Sequence, residues 1–378
     1  MEKLLIIGGA NSRRHRVGPV YCAAVIDSQE VLSSFVSDLD QAPWVALDTE
    51  ADSLHAYPEK LCLIQISIPG NDVLVDPLSE IDLKRLFTSL DRHTLLMHGS
   101  DYDIRLFKMG HNFVPNAIFD TMLAARIAGR TQFGLSRLVS EILGVELEKT
   151  SQKANWAKRP LTDRMREYAL NDTRHLKSLV DALTGELNES GRADWHKQEC
   201  DRLIRDNSTI QDPDSDKIWR IKGSVRLDPI ALSVLKGLWN WREKEARRRN
   251  RPPYFVLSPE VMVKISEEAE EEGDIVKWLP RRIPDYRRRE IQKCIKSSKS
   301  MPNDEWPERH KSPPRKHITP PQKKRFEEIQ KKRDKEATHL AIDPTIIASR
   351  ATMVRLACEA EGVFDDVLPW QQEVLGIC

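Results

Sequence analysis

The stretch Trp44-Val45-Ala46-Leu47-Asp48-Thr49-Glu50 reads as a short apolar strand that ends in acid, hydroxyl, acid. Residues two apart in a strand share a face, so Asp48 and Glu50 project together from the end of a buried strand. Adjacent carboxylates repel unless a positive charge lies between them. Hard divalent cations such as Mg²⁺ take oxygen ligands and supply that charge. An acidic turn after a strand explains these seven residues taken alone. The metal reading therefore depends on further acids standing where burial rules disfavour them.

Two such acids follow. His98-Gly99-Ser100 leads into a helix in which Asp103 shares a face with Leu106 and Phe107, while Asp101 serves the helix start. Farther on, Thr162 is placed to cap a helix in which Met165, Ala169, Asp172, Leu176, Leu179 and Leu183 recur at spacings of 4, 3, 4, 3 and 4. This is one apolar stripe with a carboxylate in its middle. An unpaired buried charge costs several kcal/mol, so Asp172 needs a basic partner or a cation. Tyr168 lies one turn before it. A salt bridge would account for Asp172, and an ordinary amphipathic position for Tyr168. The set as a whole breaks burial rules, as functional sites do. Four acids of this kind can hold two Mg²⁺ or Mn²⁺ ions about 3.5–4 Å apart, an arrangement used for in-line attack on phosphorus.

The segments between these residues alternate in character. Helices are expected at 28–39, 81–90, 121–129 and 136–143, the last closed by Gly144, and strands at 61–68, 72–76, 94–97 and 118–121. Strands interleaved with helices indicate an α/β domain. The 378 residues suffice for two or three domains, and 40% hydrophobic content supports a core. The net charge of +1 hides an uneven spread: residues 281–340 hold 19 Lys and Arg against 9 Asp and Glu, a local +10 suited to a polyanion. Six scattered cysteines without metal-type spacing fit a reducing cytosol. No run of about 18 apolar residues suggests a membrane span. Leu4-Leu5-Ile6-Ile7 is short for a signal peptide, and its charges, Arg13-Arg14-His15-Arg16, follow it. Gly8-Gly9 lacks the spacing of a dinucleotide fingerprint.

Together these residues resemble ribonuclease D, of the DEDD superfamily of 3′→5′ exonucleases and its tyrosine-bearing subgroup. The resemblance is carried by Ala46-Leu47-Asp48-Thr49-Glu50, Leu63-Ile64-Gln65, His98-Gly99-Ser100 with Asp103-Ile104-Arg105-Leu106-Phe107, Asp120-Thr121, Trp156 with Arg159-Pro160-Leu161, and Tyr168-Ala169-Leu170-Asn171-Asp172, in order over about residues 22–190. Ala51 departs from relatives that carry an aromatic residue after the first glutamate. The resemblance implies a ribonuclease H-like fold, a mixed five-stranded sheet flanked by helices. It implies two divalent cations, Mg²⁺ or Mn²⁺, on Asp48, Glu50, Asp103 and Asp172, with Tyr168 orienting the attacking water. It also implies Gln65 and His98 as candidate substrate-binding residues and nucleoside 5′-monophosphate products.

Downstream, Ile230, Val234, Leu238 and Trp241 form a helical stripe beside Trp239, Arg242 and Arg247-Arg248-Arg249, and Leu257-Ser258-Pro259 starts another helix. This resembles the helicase-and-RNase-D C-terminal (HRDC) domain, a small helical nucleic-acid-binding module. The expected organisation is a variable lead-in (1–20), an exonuclease domain (21–200), an HRDC-like helical domain (215–300), a basic linker or helix (301–340) and a partial second HRDC-like unit (341–378). The leading expectation is a cytoplasmic 3′→5′ exoribonuclease acting on RNA, tRNA precursors and other structured 3′ ends being the family's typical substrates, with no membrane association and no obligate protein partner evident. A DNA-directed exonuclease of the same superfamily and a catalytically inactive RNA-binding scaffold remain alternatives at this stage.

Overall fold

The computed structural model describes residues 25–148, 150–209, 214, 216–270, 273–309, 319–359 and 362–377. The expected lead-in, 1–20, lies outside the described residues, as does Pro313-Pro314 of the basic region. The first part of the chain forms β1 (Val25–Ile26), α1 (Gln29–Leu39), β2 (Val45–Ala51), β3 (Leu61–Ile68), β4 (Asn71–Val75), α2 (Lys84–Leu90), β5 (Thr94–Met97), α3 (Asp101–His111), β6 (Ala117–Asp120) and α4 (Thr121–Ile127). Then come α5 (Leu135–Leu138), which runs on into a π turn at Val139–Leu143, α6 (Asp163–Arg174), α7 (Leu176–Glu189) and α8 (Ala193–Ser208).

The strands make one mixed sheet in the order β1-β4-β3-β2-β5-β6. Strand β2 is central, antiparallel to β3 and parallel to β5. All eight residues of β3 are buried, as expected of an apolar run covered on both faces. The sheet has a sixth strand beyond the five expected. This is β1, two residues paired in parallel with β4, too short to carry a period-two pattern. One face (Val45, Leu47, Ile64, Ile66, Leu95, Met97) packs on α1, α2 and α3. On the other face, α6 covers Leu63 and Leu74, while Ala46 and Leu96 meet α4 and α7.

The stripe from Met165 to Leu183, expected as one helix, is two helices broken at His175. The halves bury against different surfaces, α6 on β3 and β4 and α7 on α4 and β5, so one straight axis cannot serve both. Met165 and Ala169 join the core around Trp156, whereas Leu176, Leu179 and Leu183 join another. Asp172 stands in the last turn before the break, between the two cores. Helix α8 continues past residue 200, to Ser208.

The second part forms α9 (Pro229–Arg249), α10 (Pro253–Val256), α11 (Pro259–Glu270) and α12 (Asp285–Lys299) around Trp219, Leu232, Leu235, Met262 and Ile291. In the expected stripe Val234 and Leu238 are fully buried, and Ile230 and Trp241 sit at its margin. Helix α12 approaches α9 closely at Gly237, where a Cβ would meet Ser298 Oγ. The last part forms α13 (Pro320–Leu340), α14 (Pro344–Ile347), α15 (Arg350–Ala357) and α16 (Pro369–Leu375). Helix α13, in the stretch expected as a basic linker or helix, packs on α14, α15 and α16. Its apolar face, Phe326, Ile329 and Ala337, is sparse within a basic run. Among the described residues no helix is long and apolar enough to cross a membrane.

The C-terminal unit shares a core with the exonuclease domain. Trp370, 1% exposed, stacks on Trp195 of α8 with ring centroids 4.6 Å apart. Truncating a buried Trp removes its transfer energy and leaves a cavity. Trp370→Ala is expected to lower stability by about 3–5 kcal/mol; chemical denaturation of the full chain, followed by near-ultraviolet circular dichroism, measures this.

Candidate active site

Strand β2 delivers Asp48 and Glu50 to one face of the sheet. Its register sets Asp48 against Gln65 and Glu50 against Leu63 of β3, and then shifts between Glu50 and Ala51. An irregularity at a strand end turns the chain and re-aims its side chains. The chain then runs through a loop whose base is closed by Asp52. This fully buried carboxylate accepts the Lys60 N–H at 2.9 Å and pairs with the Lys60 ammonium.

Helix α6 brings Tyr168 and Asp172 over the same face. Thr162 caps it, accepting the Met165 N–H. The preceding segment is clamped by Arg159, which bonds both Asp76 oxygens at 2.5 and 2.6 Å, the Trp156 carbonyl at 2.7 Å and the Cys62 carbonyl at 2.7 Å. That clamp fixes buried Trp156, whose ring lies 6.0 Å from the Tyr168 ring. Asp48, Glu50, His98, Tyr168, Asn171 and Asp172 line one cavity of about 430 Å³. Gly134, Leu135, Ser136, Leu147, Glu148 and Gln152 complete its wall.

Asp103 approaches from the other side of the sheet. It is 6% exposed on α3 and accepts a hydrogen bond from the Thr49 hydroxyl on β2. It does not line the cavity, yet its charge raises the pKa of Asp48, Glu50 and Asp172. Gln65 is fully buried beside Asp48, so of the two expected substrate contacts only His98 faces the cavity. His98 Nδ1 lies 2.9 Å from Thr121 Oγ1, and the Thr121 hydroxyl donates to the Met97 carbonyl. This network assigns the Nδ1–H tautomer and leaves Nε2 as the ring's acceptor. Burial holds the His98 pKa below its ordinary value, so the ring is neutral at pH 7.

The electrostatics of the acids are one-sided. Burial, with Asp172 and Asp103 nearby, pushes Glu50 up to about 9. Burial and Asp103 push Asp172 to about 7. Burial raises Asp103 to about 6 against the Thr49 hydrogen bond, and Asp48 is raised by burial and by all three other acids. The Tyr168 phenol is raised by burial and by Asp172, Glu50 and Asp48, so it stays protonated. Among the described residues no lysine or arginine is paired with any of the four acids. An oxygen-only donor set, desolvated and lacking a counter-charge, fits a hard divalent cation. Among the described residues the acids do not close into a ready cage of three or more ligands.

Sequence reasoning missed Thr49, Asn171 and the wall from Gly134 to Gln152. Thr49 could have been found from strand alternation, which points it toward the α3 side. The wall carries no periodic signal.

Fold and site together define an exonuclease domain joined to an HRDC domain: the 3′-5′ exonuclease family matches residues 23–188 and the HRDC domain family matches residues 231–275. The chain belongs to the ribonuclease D family. It is 30% identical to ribonuclease D of Pseudomonas paraeruginosa over 294 residues, covering 74% of this chain and 75% of that protein. It is 32% identical to ribonuclease D of Desulfotalea psychrophila, over 64% of this chain and 66% of that one. The chain thus spans a little under two thirds of several curated relatives' length. The crystal structure of Escherichia coli RNase D shares the fold with a TM-score of 0.72 at 23% identity, over 94% of this chain and 96% of that one. A Bifidobacterium adolescentis protein does so with a TM-score of 0.78 at 22% identity, over 93% and 94%.

The raised carboxyl pKa values fix the sign of a pH effect. Without a divalent ion, the folded protein holds more protons than the unfolded chain between about pH 4 and the pKa of about 9 at Glu50. Their stabilising contribution is complete below about pH 4 and is lost as pH rises through 6, 7 and 9. In EDTA the melting temperature should fall across this range, by roughly 2–4 °C for each kcal/mol lost. Mn²⁺ should restore it, most strongly at high pH, and Glu50→Gln should melt higher than wild type in EDTA at pH 8 while gaining less from Mn²⁺. Differential scanning calorimetry reads all three.

Proposed function

We propose that this chain is a metal-dependent 3′→5′ exoribonuclease that removes nucleotides one at a time from RNA 3′ ends, in the cytoplasm, as nucleoside 5′-monophosphates. The observation that carries the reading is the gathering of Asp48, Glu50, Asp172 and Tyr168 around one cavity, with Asp103 buried behind them. Asp48, Glu50, Asp103 and Asp172 would hold two divalent ions, Mg²⁺ or Mn²⁺, directly or through water. When bound, such ions lower the pKa of the attacking water and stabilise charge on the phosphoryl and leaving oxygens.

This chain's residues supply orientation. The Tyr168 phenol, kept protonated and backed by Trp156, is a hydrogen-bonding group that aims the water at phosphorus; its raised pKa makes it unsuited to act as a base. Glu50 must release its proton when the ions are in place, and neutral His98 offers an acceptor at the cavity wall. Water oxygen bonds to phosphorus, the P–O3′ bond breaks, and the proton is delivered to the leaving 3′-oxygen. The HRDC domain and the basic helix α13 give the RNA a positively charged approach. The substrates are tRNA precursors and other structured RNA 3′ ends. The described cysteines Cys62, Cys200, Cys294 and Cys358 are free thiols, in keeping with a cytoplasmic location. We read residues 319–377 as a shortened second HRDC unit.

The test is a time course on one single-stranded RNA labelled at either end, beside DNA of the same sequence at equal salt. Immediate release of labelled mononucleotide from the 3′ label and a shortening ladder from the 5′ label are expected with Mg²⁺ or Mn²⁺, and neither in EDTA. Internal cuts, or faster loss of the DNA, would overturn the reading. Asp48→Asn should reduce turnover to background, and Tyr168→Phe should lower kcat by about 10²-fold, the scale of a lost positioning contact.

A further inference from the structure

Gln65 has 0% exposure, and neither its Oε1 nor its Nε2 has a hydrogen-bond partner. A primary amide carries two N–H donors and a carbonyl acceptor, and a buried group left unpaired costs about 1–3 kcal/mol. Packing does not require this residue type. Its cross-strand neighbour on β4 is Leu74, and Leu63 precedes it by two on the same strand, so an apolar side chain would fill the space without that cost. A fully buried, unpaired amide in a native fold calls for a partner.

The sheet register names the partner. Gln65 is paired with Asp48 across β2 and β3. Directly opposed residues share a face with Cβ atoms about 4.5–5.5 Å apart, within reach of an amide and a carboxylate. The next polar pair along that face is already satisfied: Ser67 Oγ and Thr173 Oγ1 lie 2.8 Å apart. Among the four acids, Asp103 is fixed by the Thr49 hydroxyl. Among the described residues, no side chain donates a hydrogen bond to Asp48.

We propose that Gln65 is a positioning residue for the metal site: its Nε2, unpartnered in this structure, turns to donate to the Asp48 carboxylate when an ion binds and so fixes which Asp48 oxygen faces the ion. This rests on the metal-site reading of Asp48, Glu50, Asp103 and Asp172. It assigns Gln65 no contact with the nucleotide. Carboxylates that ligate metals are themselves hydrogen-bonded, and losing such an outer partner typically lowers metal affinity or activity by about 10–100-fold.

The experiment compares wild type with Gln65→Met and Gln65→Leu as full chains. It measures Mn²⁺ affinity by titration calorimetry, the melting temperature in EDTA, and kcat and KM on a single-stranded RNA. The expected result is an affinity about tenfold or more weaker, a melting temperature in EDTA at or above wild type, and a lowered kcat with KM unchanged. Affinity within twofold of wild type overturns the proposal whichever way the melting temperature moves. A loss of affinity seen only in variants that melt below wild type also overturns it, making Gln65 a packing residue. A raised KM with unchanged affinity overturns it in favour of a nucleotide contact. A wild type that binds no Mn²⁺ overturns the metal site itself, a failure read before any variant is compared.

Discussion

Four like-charged groups held close together, mostly out of water and without a basic partner among the described residues, set the terms for the rest of this fold. In water two carboxylates at 4 Å repel by about 1 kcal/mol, and removal of solvent multiplies that several-fold. A flexible scaffold would relieve the strain by turning the acids outward. Here Asp48, Glu50 and Asp172 sit on two tightly held elements, while Asp103 comes from α3. Strand β2 is locked on both sides, by β3 and by β5, and α6 is capped, clamped through Arg159 and seated on β3. The scaffold makes neutralisation by protons or by a cation the only remaining relief.

This explains why α6 and α7 are separate helices. A single helix through residues 163–189 would bury one stripe against one surface. The break at His175 lets α6 lie on the sheet beside Asp48 while α7 turns to the core that also receives the C-terminal helices. Asp172 occupies the last turn of α6, where neither core fills the space around it. That gap is the cavity. The same C-terminal helices pack against α7 and α8, so the unit after residue 319 shares the core on which α7 is seated.

Much of this was legible in the sequence because the site breaks rules that the remainder of the chain obeys. Asp48 and Glu50 stood out by period-two spacing, Asp103 by its apolar helix face, and Asp172 by an apolar stripe of nearly perfect spacing. The strands were legible for the opposite reason: 61–68 and 94–97 are uninterrupted apolar runs. What escaped had no periodic trace. The break at His175 is set by which surfaces lie beneath the helix. Strand β1 is two residues long. The apolar face of α13 is diluted by lysine and arginine. The resemblance put Gln65 forward as a substrate contact, and a sequence places a residue near a site without showing whether its side chain reaches the cavity; here it is fully buried.

The loop after Glu50 ties the site to the second domain. Asp52 and Lys60 pinch its base, and Tyr57 at its far side reaches α9. The Tyr57 N–H donates to Asn250 Oδ1 at 3.0 Å, its hydroxyl donates to Glu243, and the Arg247 guanidinium lies 5.3 Å over its ring. Asn250 closes α9 in the left-handed conformation that asparagine tolerates, which places its amide at the helix end facing the loop. Three unlike interactions converge on one tyrosine, so the HRDC domain is fastened to the same short segment that fixes Glu50. The helical domain and the strand that presents Glu50 are thereby held in one geometry, with Asp52 as the fixed point between them.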